Sequence, residues 1–339
     1  MEIAGPTQLQ QGHDARWWSF EGESVRCALC PHACLLPPGE TGRCGVRIHV
    51  NDRGLISANY GMLASLAVDP VEKKPLYHWK PGTSILSLGS VGCSMRCPFC
   101  QNWTLAECSP SVSLREITPE APAAIAKRHG ASSAAFTYNE PLTWLEFILD
   151  SCRYLAESRI PVVLVSNGMI NGAPLRELIP YLSAANIDIK AFTSEAYRFM
   201  GGELEAVKNT IKSLSEAGTH VEVTFLLVPG INDDEAAFRE MALWLSSLDP
   251  IPVLHISRYF PNREWTEGAT PMVRLVEFVR VASEFLPWVY PGNVDDDSFT
   301  KCPSCGKTLI RRHRYSIIEN NIDNEGRCSF CSSRTPIII

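Results

Sequence analysis

The chain has 339 residues, 45% of them hydrophobic, and a formal net charge of −6. That length allows one large domain with appendages or two ordinary domains, and the composition suits a packed core. The acidic balance argues against a nucleic-acid partner, because counterion release needs a basic face. No apolar run approaches the roughly 18 residues of a membrane helix. Residues 1–16 are polar and lack a signal-peptide apolar stretch, so the expected location is cytoplasmic, with no membrane partner.

Residues 17–46 are rich in cysteine and carry Pro37, Pro38 and Gly39, a loop-like composition. Arg47–Val50 and Leu55–Tyr60 read as two strands joined by Asn51, Asp52, Arg53 and Gly54. Lys73, Lys74 and Pro75 then read as a surface crossing. From Ser84 the pattern alternates strand and helix. Strands are expected over Ile85–Leu88, Ala134–Thr137, Val162–Ser166, Ile187–Ile189, Val221–Val228 and Val253–Ile256, with a short one at Trp288–Tyr290. Helices are expected over Ala121–His129, capped by Thr118, and over Leu142–Ser158, Ala173–Ala184, Ser194–Met200, Glu203–Ala217, Asp234–Leu248 and Pro271–Phe285.

Six βα repeats imply an α/β fold with a parallel sheet and helices outside it. Six are too few for a closed eight-fold barrel, so a partial (β/α)6 barrel is expected, with a doubly wound sheet as the alternative. In either fold, ligands sit at the carboxyl ends of the strands. Residues on that rim are Cys93 to Cys100, Asn139 and Glu140, Ser166 and Asn167, Asp188 and Lys190, residues 229–232, and Arg258. The domain division follows as 1–82, a Cys-rich extension with a hairpin; 83–292, the partial barrel; and 293–339, a C-terminal Cys module.

Thirteen cysteines in a reducing compartment call for an explanation other than disulfides. Cys27, Cys30, Cys34 and Cys44 form one cluster, Cys93, Cys97 and Cys100 a second, and Cys302, Cys305, Cys328 and Cys331 a third; Cys108 and Cys152 stand alone. Short spacing of this kind reads as metal ligation. The central triplet is C-x3-C-x2-C with no fourth cysteine at ligand spacing. A structural zinc site wants four closed ligands, and a ferredoxin loop adds a fourth cysteine. Three thiolates on a 4Fe–4S cubane leave one iron open to a ligand bearing an amine and a carboxylate, both of which the methionine part of S-adenosylmethionine supplies.

C-x3-C-x-aromatic-C is the signature of radical S-adenosylmethionine (SAM) enzymes, and the chain resembles that superfamily over roughly residues 25–332. Within it the chain looks most like the pyruvate formate-lyase activating enzyme branch and, inside that branch, the AmmeMemoRadiSam system radical enzymes. The resemblance is carried by Cys27 to Cys34, Glu72 to Trp79, Phe136 to Pro141, Ala185 to Lys190, Val228 to Asp233 and His255 to Pro261. It implies that Phe99 packs near the adenine. It implies that Glu140, with Asn139, receives the methionine amino group, although relatives carry Gly-Gly-Glu-Pro where this chain has Tyr138, Asn139, Glu140 and Pro141. It implies that Lys190 pairs with the methionine carboxylate and that Asp188 joins Ser166 in a monovalent-cation site, although Val165 stands where relatives have an acid. Asp188 and Lys190 also read as a rim ion pair. Arg258 is expected near a substrate carboxylate, while His255 and His78 read as structural. The implied electron donor is of the flavodoxin or ferredoxin kind.

The C-terminal pair of C-x2-C knuckles has the pattern of a zinc ribbon, for zinc or iron. Arg311, Arg312, His313 and Arg314 between them read as a solvated basic edge. The N-terminal four cysteines suit zinc or an auxiliary cluster. Three functions follow from these features. The first is an enzyme that reductively cleaves SAM to a 5′-deoxyadenosyl radical and abstracts hydrogen from a small molecule or a protein, an activating enzyme for a glycyl-radical partner being one form. The others are a non-catalytic electron carrier with several clusters, and a zinc-ribbon interaction protein.

Overall fold

A computed structural model describes residues 12–339; the first part of the polar N-terminal stretch, residues 1–11, lies outside the described residues. The centre is an open sheet of eight strands. In spatial and chain order these are β1 (Ser65–Pro70), β2 (Ser84–Gly89), β3 (Ser133–Phe136), β4 (Val162–Ser166), β5 (Leu182–Asp188), β6 (His220–Leu227), β7 (Val253–Arg258) and β8 (Val289–Gly292). β1 runs antiparallel to β2, and every later pair is parallel. The partial-barrel expectation holds: the sheet curls without closing and keeps two edges. Sequence reading did not expect β1, which comes from the segment assigned to the extension.

Alternation along the strands sorts side chains into two cores. Leu86, Leu88, Ala134, Phe136, Leu164, Ala185, Ile187 and Val223 pack against the outer helices. Ile85, Ala135, Val163 and Ala184 point into the bore and meet Val71, Leu76 and Trp79. Residues 71–79 therefore plug the bottom of the bore instead of crossing the surface. Lys74 is buried because its ammonium lies 2.7 Å from Asp69 Oδ2. Asn186 Nδ2 donates to Pro75 O (2.7 Å) and Thr224 Oγ1 to Asn186 Oδ1 (2.8 Å), which fixes the plug beneath the upper bore.

Two local expectations need correction. The helix expected over Ala173–Ala184 ends at Leu178, and Leu182 to Ala184 begin β5. Leu182 and Ala184 favour helix by intrinsic propensity, and parallel pairing with β4 overrides it. Thr118 does not cap the first outer helix by its side chain; Glu120 occupies the cap position and Pro122 the first turn. Asp234, by contrast, caps the helix Glu235–Ser246 by accepting from Ala237 N.

Below the bore, Glu222 receives Tyr77 N (3.0 Å) and His78 N (2.8 Å), and its oxygens lie 2.9 Å from His220 Nε2 and 2.6 Å from His255 Nε2. His78 Nε2 lies 2.8 Å from Tyr290 Oη. The structural reading of His78 and His255 agrees with these partners. The C-terminal ribbon docks on the same segment: β9 (Asp297–Lys301), β10 (Thr308–His313) and β11 (Ser316–Asn320) form an antiparallel sheet. Its Arg312 is fully buried, donates to Tyr77 O (2.5 Å) and stands over the Tyr77 ring. The expected basic edge is mostly neutralised, since Arg311 pairs with Asp297 and Arg314 with Asp295. Among the described residues, no helix is long and apolar enough to cross a membrane.

Candidate active site

After β2 the chain turns at Gly92, whose φ is +98°. A Cβ there would stand 2.8 Å from Val46 Cγ1 and 2.9 Å from Cys44 O, so only glycine permits this approach to the N-terminal segment. The loop that follows has no regular structure and is tied down by its backbone. Cys93 N donates to Cys44 O (3.2 Å) and Arg96 N to Met200 O (2.8 Å). Arg96 Nη1 donates to Cys93 O and Arg263 Nη1 to Cys97 O, both at 2.8 Å. Cys93 Sγ receives Met95 N (3.4 Å) and Asn167 Nδ2 (3.7 Å). Burial pushes the Cys93 thiol well up and that of Cys97 to about 11, with Lys190 opposing the second. Thiols so placed stay protonated unless a bound metal centre holds them deprotonated.

Cys93, Cys97 and Cys100 open on a cavity of about 450 Å³ at the carboxyl ends of the strands. Phe99, Asn139, Glu140, Ser166, Asn167, Asp188 and Lys190 line it as well. Glu140 is buried; Oε1 accepts from Leu142 N (3.0 Å) and Ser166 Oγ (2.7 Å), and Oε2 from Asn167 N (2.8 Å). Burial outweighs these bonds and raises its carboxyl to about 7. One Oε2 lone pair remains for a further donor. Asn139 braces the loop: its Oδ1 accepts from Ser90 N (3.1 Å) and its Nδ2 donates to Gly92 O (3.0 Å). Lys190 Nζ lies 2.8 Å from Asp188 Oδ2. Burial alone would lower the ammonium's pKa, but Asp188 and Cys97 outweigh it and keep Lys190 charged. The rim ion pair is therefore present. Ser166, expected with Asp188 in a cation site, lines the cavity beside it; its hydroxyl donates to Glu140 and accepts from Gly168 N (3.0 Å).

Arg258 is also placed differently. It lines a neighbouring cavity of about 500 Å³ with Tyr77, Phe260 and Asp295, and its Nε donates to Thr270 O (2.8 Å). Asn293 and the ribbon's Tyr315 line both cavities. Phe99 is buried with its ring edge-on to Tyr259, which anchors the loop while the residue still lines the site.

The wall contributed by residues 73–75 and 137–138 was missed as a site. Tyr138 has φ +78°, a strained state for a tyrosine. That backbone aims its hydroxyl at Asp69 Oδ2 (2.9 Å) and sets its ring under Lys74 Nζ, 4.5 Å away. Tyr138 is the first residue of the tetrapeptide that departs from Gly-Gly-Glu-Pro, and that departure was the available signal. Asn167 was on the rim but was not assigned a role, because its contact with Cys93 spans residues far apart in sequence.

The ribbon cysteines converge: Cys302 Sγ lies 3.7 Å from Cys331 Sγ, and Cys305 Sγ 3.8 Å from Cys328 Sγ. A tetrahedral ion with bonds near 2.3 Å sets its sulfurs about 3.8 Å apart, so these four fit one zinc or iron ion. Around the main cavity, three thiolates with no fourth cysteine in the lining fit the three-ligand cluster, and Glu140 with Lys190 offers partners for an ammonium and a carboxylate.

The Radical SAM superfamily profile matches residues 88–242, from the end of β2 through most of the helix Glu235–Ser246. The chain is 36% identical over 328 residues to an uncharacterized protein of Methanocaldococcus jannaschii, covering 94% of this chain and 97% of that one. It is 25% identical over 182 residues to the pyruvate formate-lyase-activating enzyme of Staphylococcus epidermidis, covering 50% of this chain and 71% of that one. Among solved structures, a radical SAM methyltransferase from Sphaerobacter thermophilus is similar with a TM-score of 0.49 and 15% identity, over 62% of this chain and 66% of that one. The matched span holds the cysteine loop, Glu140, Ser166, Asp188 and Lys190, and the chain belongs to the radical SAM superfamily of enzymes.

Proposed function

We propose that this chain cleaves SAM reductively in the 450 Å³ cavity and uses the resulting radical on a polar substrate held in the same space. The observation that carries the reading is the convergence of Cys93, Cys97 and Cys100 with Glu140 and Lys190, brought from three separate strand ends into one lining. Cys93, Cys97 and Cys100 would hold a 4Fe–4S cluster, which would supply the one-electron chemistry for cleaving SAM to methionine and a 5′-deoxyadenosyl radical able to take a hydrogen atom from the substrate.

The chain's own residues bind and orient. Lys190, held by Asp188, meets a carboxylate with a charge-assisted bond, and Glu140 accepts from an ammonium through its remaining lone pair. Asn167 donates to Cys93 Sγ and so bears on the electron affinity of whatever the thiolate holds. On the far wall Lys74, Asn186, Thr224, Ser257 and Tyr315 offer polar groups to a substrate, and the plug below them excludes water from underneath. Anaerobic incubation with SAM and dithionite tests the reading through release of 5′-deoxyadenosine. Cluster-replete protein that releases none contradicts it.

A further inference from the structure

The N-terminal cysteines do not behave like those of the ribbon. Among the described residues, Cys302, Cys305, Cys328 and Cys331 are the one group of three or more His, Cys, Asp or Glu ligand atoms lying within 4.8 Å of one another. Cys27, Cys30, Cys34 and Cys44 stand wider, around a small, partly open void of about 20 Å³. Cys93, Cys97 and Cys100 share that wider setting. A single ion draws its sulfurs together, whereas a cluster spreads its thiolates over separate irons.

The rest of the lining points the same way. Leu29, Leu142 and Met169 make the void largely apolar, which suits water poorly. Arg47 also lines it and is 1% exposed. Its Nη2 donates to Glu146 Oε1 (2.5 Å) and its Nη1 to Arg16 O (2.9 Å), but its Nε–H has no partner. A buried donor on a permanent cation is costly unless an acceptor of negative charge stands by. Four thiolates on iron and sulfide carry such charge.

We propose that Cys27, Cys30, Cys34 and Cys44 ligate a second iron–sulfur cluster, with Arg47 as its buried counter-charge. The site abuts the first. Cys44 O accepts from Cys93 N (3.2 Å), His32 Nε2 lies 2.8 Å from Ser94 O, Ser94 of the cysteine loop lines the void, and Glu140 lines both the void and the main cavity.

The test uses the full chain with Cys93, Cys97 and Cys100 all replaced by alanine, prepared anaerobically with iron and sulfide. Acid-labile sulfide is the readout, since neither zinc nor the ribbon's single ion carries any. The expected result is roughly two to four sulfides per chain with visible charge-transfer absorbance, two marking a 2Fe–2S and four a 4Fe–4S cluster. Folded protein with zinc at these cysteines, or without sulfide, overturns the proposal. A Cys27→Ser/Cys30→Ser variant with the central triplet intact should lose that same complement and keep the remainder. Unchanged sulfide there also overturns it. Neither measurement depends on turnover of SAM, so the proposed reaction can fail while this site stands.

Discussion

Ser166 Oγ donates to Glu140 Oε1 across 2.7 Å, and this bond ties the carboxyl end of β4 to the turn that follows β3. Leu142 N and Asn167 N converge on the same carboxylate. Glu140→Ala leaves these three donors without a partner in a buried place. The expected cost is about 3 kcal/mol of unfolding free energy, read by urea denaturation against the parent. A change below about 0.5 kcal/mol would show that these bonds do not organise the site.

Lys190 supplies a charge to the cavity that Asp188 holds in position at 2.8 Å. Lys190→Met removes a charge-assisted bond, commonly about 1.5–3 kcal/mol, so SAM should bind roughly 10- to 100-fold more weakly. Calorimetric titration of the cluster-loaded protein checks it. Equal affinity would assign Lys190 to the ion pair alone.

Asn167→Ala removes the amide that stands 3.7 Å from Cys93 Sγ. Donors to cluster thiolates favour the reduced, more negative state, so the potential of the cluster at Cys93 should fall. Spectroelectrochemical titration reads the shift. A potential that stays or rises contradicts the contact.

The network under the bore predicts acid sensitivity. Burial pushes His78 down to about 3, and its Nδ1 has no partner. Its folded pKa lies below the unfolded one, so its contribution is fully present above the ordinary histidine pKa and is lost as pH falls from there toward about 3. Within that window the slope is about 1.4 kcal/mol per pH unit. Burial alone would raise Glu222, but hydrogen bonds from His220 and His255 outweigh it and bring it well below the carboxylate range. Glu222 therefore adds a further loss as pH falls below that range. Melting scans between pH 7 and 5 should show His78→Gln losing less than the parent. Parallel losses would remove His78 from the account.

Much of this was readable from residue order. The β-branched run Val162 to Ser166 and the alternating strands after it placed Cys93, Glu140, Asp188 and Lys190 on one rim, because a parallel sheet leaves its carboxyl ends on one side. What escaped depended on long-range contact. Lys74 looks like a surface lysine until Asp69, five residues earlier, is seen beneath it. Arg312 sits in a basic run, and only docking on Tyr77 shows that it is buried. Arg258 ends the right strand yet turns toward Thr270 and the neighbouring cavity. Leu182 and Ala184 are good helix formers, and only pairing with β4 beside them turns the segment into strand.

The central claim is that three cysteines and the strand-end residues around them make a site for reductive cleavage of SAM. The most direct measurement is 5′-deoxyadenosine released by the anaerobically reconstituted chain with dithionite and SAM, run beside the Cys93→Ala/Cys97→Ala/Cys100→Ala variant. The account predicts product from the parent and none from the variant. Parent protein that carries its full iron and sulfide yet forms no 5′-deoxyadenosine, or a variant that forms as much as the parent, would contradict it.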